Sequence, residues 1–243
     1  MSFVLILGAN SDIGKALATC YAKQGHNLYL AARQPTKLSP FATTLKDQFH
    51  INYELIEFDS LLYHSHSEIY HNLPTKPDGV IVCVGYLGNH TKALNSFDES
   101  ELIIHTNFTG IVSMLNIIAN DFEKHNHGFI LGISSVAGDR GRQSNYIYGS
   151  AKAALSTYLS GLRHRLAKTN VSVLTVKPGF VNTKMTRDMI LPKRLTVEPL
   201  QLANKIYKAQ RSRYNILYSQ WIWKWIMFVI KSMPECIFKK TSL

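Results

Sequence analysis

Phe3-Val4-Leu5-Ile6-Leu7-Gly8-Ala9-Asn10-Ser11-Asp12-Ile13-Gly14 is the stretch that decides the fold of this 243-residue chain. Five consecutive apolar residues stop at a glycine, which suits a strand buried on both faces of a parallel sheet. Beyond it, Ile13, Ala16, Leu17, Cys20 and Tyr21 recur at helical spacing until Gly25 ends the pattern. A buried strand, a tight turn and an amphipathic helix make the first half of a β-α-β unit.

The same alternation continues outward. Further strands are predicted at Leu28–Ala32, Tyr53–Phe58, Val80–Val84, Phe129–Ile133, Val171–Val176 and Tyr214–Tyr218. Helices are predicted around Leu38–Phe49, Ser100–Lys124 and Tyr146–Lys168, the last with Leu155, Leu159, Leu162 and Leu166 on one stripe. Strands alternating with helices at this pitch imply a mostly parallel sheet covered on both faces. The expected fold is a single doubly wound α/β domain with a parallel sheet of about seven strands, spanning residues 1–218, followed by an amphipathic, Trp-rich tail over 219–243.

Composition narrows the class. A hydrophobic share of 46% excludes disorder, and 14 Gly with 8 Pro exclude collagen-like repeats. The cysteines, Cys20, Cys83 and Cys236, are far apart and form no CxxC pair, which points to a reducing compartment. Lys and Arg total 27 against 16 Asp and Glu, a net charge of +11 that favours an anionic partner. No run of five basic residues occurs, so no nucleic-acid partner is expected; an anionic membrane or a phosphorylated small molecule fits better. The first residues read as a strand rather than a signal peptide, because no basic leader or small-residue cleavage site accompanies them.

The turn Gly8 to Gly14 is suited to a pyrophosphate, which needs close backbone approach and the free N–H groups of a helix N-terminus. A site for NAD usually places Asp or Glu at the end of the second strand. This chain has Ala31-Ala32-Arg33 there, and a guanidinium suits the 2′-phosphate of NADPH.

Tyr148 and Lys152 are four apart on a predicted helix and therefore share a face. An ammonium near a tyrosine favours the phenolate and lowers its pKa, which would make Tyr148 a usable general acid. Ser135, just past a strand, can donate to the same carbonyl oxygen. In this order, GANSDIG (8–14), CVGYLG (83–88), HTNFTG (105–110), SSVAG (134–138), YGSAK (148–152) and KPGFVNTKM (177–185) resemble the short-chain dehydrogenase/reductase family over nearly the whole chain. The resemblance implies a Rossmann-type fold and a catalytic tetrad of Asn107, Ser135, Tyr148 and Lys152. It implies that Gly8, Asn10, Ser11, Asp12, Ile13, Gly14, Arg33, Asp59 and Gly85 line the cofactor. Pro178, Gly179, Val181 and Thr183 would run along the nicotinamide, and Asp59 would sit at the adenine. Asn107 would hold a water in a proton relay to Lys152, whose ammonium would also bind the nicotinamide ribose. Asp12 stands where the family often has glycine, and Val84-Gly85-Tyr86 where it often has Asn-Ala-Gly.

SSVAGDRGRQSNYIYGSAKAAL (134–155), KPGFVNTKM and the ending IWKWIMFVIKSMPECIFKK (222–240) further resemble the polyprenyl-phosphoryl 2-keto-ribose reductases. That branch implies a lipid-linked keto-sugar substrate, reduced to its arabinose epimer as a cell-wall polysaccharide precursor, and an FAD-dependent oxidase partner. The alternatives are a reductase of another lipophilic ketone, such as a 3-oxoacyl chain or a steroid-like ring, and a non-catalytic dinucleotide-binding scaffold.

Trp221–Ile230 is too short to span a bilayer, since ten helical residues rise only ~15 Å. Gln220, Lys224 and Lys231 form a narrow polar stripe, leaving Trp221, Ile222, Trp225, Phe228 and Val229 as an apolar face. With Lys239 and Lys240 nearby, such a helix suits an anionic membrane surface, and packing on the domain or on a second copy is the competing reading. A cytoplasmic protein peripheral at the inner membrane face is expected, and a homo-oligomer is compatible with the resemblance. His64, His66 and His71 cluster without Cys or paired carboxylates, so a solvated face and no metal is expected. Arg140 and Arg142 either meet a substrate phosphate or are solvated.

Overall fold

The computed structural model describes residues 2–241. In chain order the elements are β1 (Phe3–Leu7), α1 (Asp12–Lys23), β2 (Asn27–Ala32), α2 (Ser39–Phe49), β3 (Tyr53–Glu57), α3 (His66–His71), β4 (Gly79–Val82), α4 (His90–Asn95), α5 (Phe97–Ile104), α6 (Gly110–His125), β5 (Phe129–Ile133), α7 (Tyr146–Arg165), β6 (Ser172–Lys177), β7 (Phe180–Val181), β8 (Thr196–Val197), α8 (Pro199–Arg211), β9 (Ile216–Tyr218), α9 (Trp221–Ser232) and α10 (Glu235–Phe238).

The pleat of β1 explains why its residues are all apolar. Val4 and Ile6 enter a core shared with Leu17 of α1, Leu45 of α2 and Ile206 of α8. Leu5 and Leu7 point the other way, into a core with Met114 of α6 and Leu159 of α7. Successive strand residues face opposite sides, so a sheet covered on both faces needs an unbroken apolar run. The seven strands run β3-β2-β1-β4-β5-β6-β9, every neighbouring pair parallel. The order grows outward from β1 in both directions. This reversal opens a crevice at the carboxyl ends of β1 and β4, where ligands of doubly wound sheets bind.

Several details depart from the expectation. β4 stops at Val82, and Cys83 and Val84 bend into the crevice. The long helix expected from Ser100 is α5 and α6 joined by a π turn over His105–Thr109, which carries Asn107. The run Phe97–His125 is long and apolar enough to cross a membrane by length and composition, yet Ile111, Met114, Leu115 and Ile118 bury its second half against the sheet. α8 was not predicted. Its buried stripe, Leu202, Ala203, Ile206 and Ala209, is narrow and set among Lys205, Lys208 and Arg211.

The expected solvated face around the histidines is corrected at His66, which is fully buried. Its ring nitrogens lie 3.0 Å from Ser113 Oγ and 3.1 Å from the carbonyl oxygen of Asp59, where α3 packs on α6. Burial lowers its pKa. Among the described residues no three His, Cys, Asp or Glu stand together as a metal-binding group.

α9 has two apolar faces. Trp223, Met227 and Ile230 are buried with Val136, Phe180, Leu195 and Tyr218. Trp221, Trp225, Phe228 and Val229 point outward, with Trp221 76% and Phe228 62% exposed. Ile222, assigned from the sequence to the outer face, is half-buried against the inner cluster. Arg140 closes the carboxyl end of the helix by donating to the carbonyls of Ile230 (2.6 Å) and Met233 (2.5 Å) and to Glu235 (2.7 Å). Its guanidinium also lies 3.8 Å over the ring of Phe238. A cation there satisfies carbonyls that the helix cannot.

Candidate active site

The turn after β1 is shaped by Gly8. Its φ is +81°, and a Cβ there would lie 2.7 Å from the amide nitrogen of Val84 and 2.8 Å from the carbonyl carbon of Cys83. Only glycine combines that conformation with that contact. Ser11 caps α1: its Oγ accepts from the Gly14 amide (3.0 Å) and donates to the Gly8 carbonyl (2.8 Å). Asp12 and Ile13 then open the helix with amides that have no intrahelical acceptor, as every helix start does. Asp12, the unusual residue, accepts at Oδ2 from the backbone amide of Lys184, 2.7 Å away. Its carboxylate thereby ties the turn to the loop after β7.

Two connected clefts lie over this turn. The larger, about 690 Å³, is lined by Gly8, Asn10, Ser11, Arg33, Asp59 and Gly85. Arg33 is exposed at its edge and has no acidic partner among the described residues. The smaller, about 320 Å³, shares Asn10, Ser11 and Gly85 and adds Asp12, Ile13, Pro178, Gly179, Val181 and Thr183. Gly14 lines neither cleft and serves the cap. An elongated trough over a helix N-terminus, with a cation at one end, fits a phosphorylated dinucleotide.

Ser135, Tyr148 and Lys152 meet in the smaller cleft. Ser135 follows β5, its Oγ accepts from the Ala137 amide at 3.1 Å, and its hydroxyl is near enough to Tyr148 to favour the phenolate. Its neighbour Ser134 is structural, buried and donating to the carbonyl of Lys152 at 2.9 Å. Lys152 is buried on α7, its Nζ 3.0 Å from the carbonyl oxygen of Ile133 and 5.8 Å from the Tyr148 ring centre. Burial pushes the Lys152 pKa down to about 8, with Cys83 acting in the opposite direction. Burial also pushes Tyr148 up to about 12, and the nearby Ser135 hydroxyl offsets only part of that rise. The expectation that Lys152 lowers the Tyr148 pKa is therefore corrected for the protein alone: desolvation of the phenolate dominates, and only Ser135 acts against it. Tyr148 is held protonated, which suits a proton donor.

Asn107 lines neither cleft. It is fully buried in the π turn, donating to the Tyr86 carbonyl (2.6 Å) and accepting from the Tyr86 amide (3.2 Å). Gly85 lies between it and Lys152: a Cβ at Gly85 would be 3.5 Å from Asn107 Oδ1 and 3.6 Å from Lys152 Nζ. π turns often mark functional positions because they redirect one side chain.

Several wall residues were not assigned to the site from the sequence, among them Trp223 and Asn145. Trp223 lines the smaller cleft and presses on Gly179, where a Cβ would meet the indole at 1.9 Å. Asn145, just before α7, also lines it. Both lie inside stretches quoted for the family resemblance, but nothing in their spacing points either side chain at the cleft.

A family model described as short chain dehydrogenase matches residues 2–193. The chain is 31% identical over 240 residues to an uncharacterised oxidoreductase of Mycobacterium tuberculosis, covering 98% of this chain and 96% of the relative. It is 27% identical over 229 residues to an NADP-dependent 3-hydroxy acid dehydrogenase of Schizosaccharomyces pombe, covering 88% of each. A solved short-chain dehydrogenase from Sphingobium yanoikuyae in complex with NADPH superposes with a TM-score of 0.85 at 22% identity, over 97% of both chains. The bulky-bulky ketone specific alcohol dehydrogenase from Comamonas testosteroni superposes with a TM-score of 0.81 at 20% identity, over 97% of this chain and 96% of that one.

Proposed function

The chain belongs to the short-chain dehydrogenase family of oxidoreductases, and from that premise we propose that it is an NADPH-dependent carbonyl reductase acting through Asn107, Ser135, Tyr148 and Lys152. The observation that carries this reading is the meeting of a protonated, half-buried Tyr148 with Ser135 and Lys152 at the end of a dinucleotide-shaped trough.

NADPH, when bound, supplies hydride to the carbonyl carbon. The turn Gly8–Gly14 holds the pyrophosphate, with Asn10, Ser11, Asp12 and Ile13 along it. Asp59 lies toward the adenine, Arg33 pairs with the 2′-phosphate, and Pro178, Gly179, Val181 and Thr183 flank the nicotinamide. Ser135 donates a hydrogen bond to the substrate oxygen, and Tyr148 Oη delivers the proton to it. Lys152 holds a proton behind Tyr148 and reaches the nicotinamide ribose. Asn107 fixes the Tyr86 backbone and offers a polar atom behind Gly85 for a relay water.

The substrate we favour is a polyprenyl-phosphoryl 2-keto sugar, delivered by an FAD-dependent oxidase. The outward face of α9 supports it. Trp221, Trp225, Phe228 and Val229 are exposed on the helix whose inner Trp223 lines the cleft, so the site sits beside an apolar, lysine-flanked surface suited to a membrane. Residues 219–243 would then serve both as cleft wall and as peripheral attachment. The second reading is a 3-oxo acid reductase, favoured by the activity in the name of the yeast relative.

NADPH consumption with a polyprenyl-phosphoryl keto-pentose and with a 3-oxoacyl substrate separates the two. A kcat/KM at least tenfold higher for the keto-pentose is expected; the reverse order overturns the sugar reading. Absence of NADPH turnover on every ketone would leave a dinucleotide-binding scaffold.

A further inference from the structure

Three buried side-chain polar atoms lack a hydrogen-bond partner among the described residues: Arg142 Nε, Asn145 Oδ1 and Gln220 Oε1. Two of the three sit on one turn, and both of their residues line the smaller cleft. Buried polar atoms are ordinarily paired, so two orphans facing one chamber need an explanation.

The turn itself is well ordered by its backbone. The Asn145 amide donates to the Arg142 carbonyl at 3.1 Å, and the Asn145 carbonyl accepts from Gly149 at 2.8 Å, which starts α7. Tyr148 follows in the first turn of that helix. Asn145 occupies the N-cap position, where asparagine commonly bonds a helix amide through its side chain, but here the side chain makes no such bond. The Oδ1 is left for something else.

Arg142 contrasts with Arg140 two residues earlier. Arg140 is committed to the end of α9 and to Glu235. Arg142 has no carboxylate within ion-pair distance among the described residues. The cleft wall offers none: its one acid, Asp12, is bonded to the Lys184 amide, and Leu87, Val136, Phe180, Met185 and Trp223 are apolar. Burial withdraws the guanidinium from water and disfavours its charge. A cation so placed is stabilised by an anion brought from outside.

We infer that Arg142 and Asn145 form a substrate-reading subsite, in which the guanidinium binds an anionic group of the ketone substrate and Asn145 Oδ1 accepts from a hydroxyl beside it. The inference rests on the reductase reading and deepens it by naming the substrate class: hydroxylated ketones bearing a phosphate ester or a carboxylate, rather than wholly apolar ketones. Phosphate and carboxylate share the chemistry that Arg142 recognises, and the experiment separates them.

The test is calorimetric binding of product-like alcohols to the full-length protein saturated with NADPH, a combination that cannot turn over. The probes are 3-hydroxybutyl phosphate, 3-hydroxybutyrate and uncharged 1,3-butanediol. The wild-type protein should bind at least one anionic probe about ten- to a hundredfold more tightly than the diol, as befits a charge-assisted contact. The tighter of the two identifies the natural anion. Arg142→Gln should abolish the preference and Arg142→Lys should keep part of it, with NADPH affinity unchanged in both. A second hydroxyl next to the first should improve binding about two- to tenfold, and Asn145→Leu should remove that gain. Equal binding of all three probes by the wild-type protein, or an anion preference that survives Arg142→Gln, overturns the subsite. Reduction of uncharged 4-hydroxy-2-butanone is measured in parallel. Turnover there without any anion preference defeats the subsite alone, whereas Arg142-dependent anion binding with no turnover of any ketone defeats the reductase reading.

Discussion

The larger and smaller clefts meet at Asn10, Ser11, Cys83, Val84 and Gly85, but they are built from different materials. The floor of the larger is the Gly8–Ser11 turn, one short backbone segment, with the chain just beyond β2, β3 and β4 along its sides. The wall of the smaller is side chain, gathered from β5, the loop before α7, the loop after β7 and α9. A backbone site needs only local sequence, because a turn and a helix start create the donors. A side-chain site needs the tertiary structure to assemble it, and each contributor can vary alone. The larger cleft should therefore be tolerant of changes in side-chain shape, and the smaller should set both chemistry and substrate.

The largest effect belongs to the smaller cleft. Tyr148→Phe removes a proton donor and little volume, so turnover should fall by ~10²–10⁴-fold while NADPH binding persists. A steady-state assay with parallel cofactor titration checks it, and retention of more than a tenth of the turnover would break the proposed role. In the larger cleft, Arg33→Ala should weaken NADPH about ten- to a hundredfold and leave NADH nearly unchanged, since a charge-assisted hydrogen bond contributes ~1.5–3 kcal/mol. Equal losses for both cofactors would make Arg33 a mere surface charge.

Gly179→Ala sharpens the contrast through packing. The new Cβ would meet the Trp223 indole at 1.9 Å, so stability should drop by about 1–3 kcal/mol in urea denaturation. Combining it with Trp223→Leu should recover part of that loss. An unchanged denaturation midpoint in the single variant would separate α9 from the cleft wall.

The pH dependence distinguishes the two titrating groups of the smaller cleft. Tyr148, pushed up to about 12, stays protonated through the working range. Lys152, pushed down to about 8, keeps its ammonium below that pH and loses it above. Reductive kcat should therefore fall above pH 8, about tenfold per unit, and Lys152→Arg should move that limb upward because guanidinium stays charged. A limb that stays in place in the arginine variant would assign it to another group. The smallest effect is at the outer face of α9. Trp221→Ser and Trp225→Ser should each weaken binding to anionic vesicles about fivefold, ~1 kcal/mol for a side chain half-buried at an interface. These changes leave Trp223 in place, so turnover of a water-soluble ketone should not move.

The same division decides what was legible in the sequence. β1, the Gly8 turn and α1 could be read directly, because burial on both faces and helix capping are local demands. Tyr148 and Lys152 share a helix face by spacing alone. The pKa of Tyr148 was not legible, since it depends on how far the folded chain removes the phenol from water. Nor was the fate of His66, whose partners Ser113 and Asp59 come from other parts of the chain. Arg140 and Arg142 look alike in the sequence, and only the fold commits one to the end of α9 and turns the other into the cleft. Trp223 reads as one of three tail tryptophans until the packing of α9 separates it from Trp221 and Trp225.

The central claim is that these clefts jointly reduce a ketone, and isotope transfer tests it most directly. The full-length protein is incubated with NADPH carrying deuterium at the transferable position of the nicotinamide and with a ketone substrate, and the product is examined by mass spectrometry. The account predicts one deuterium at the carbinol carbon for each NADPH consumed. Cofactor that binds but yields no labelled alcohol from any ketone offered would contradict it.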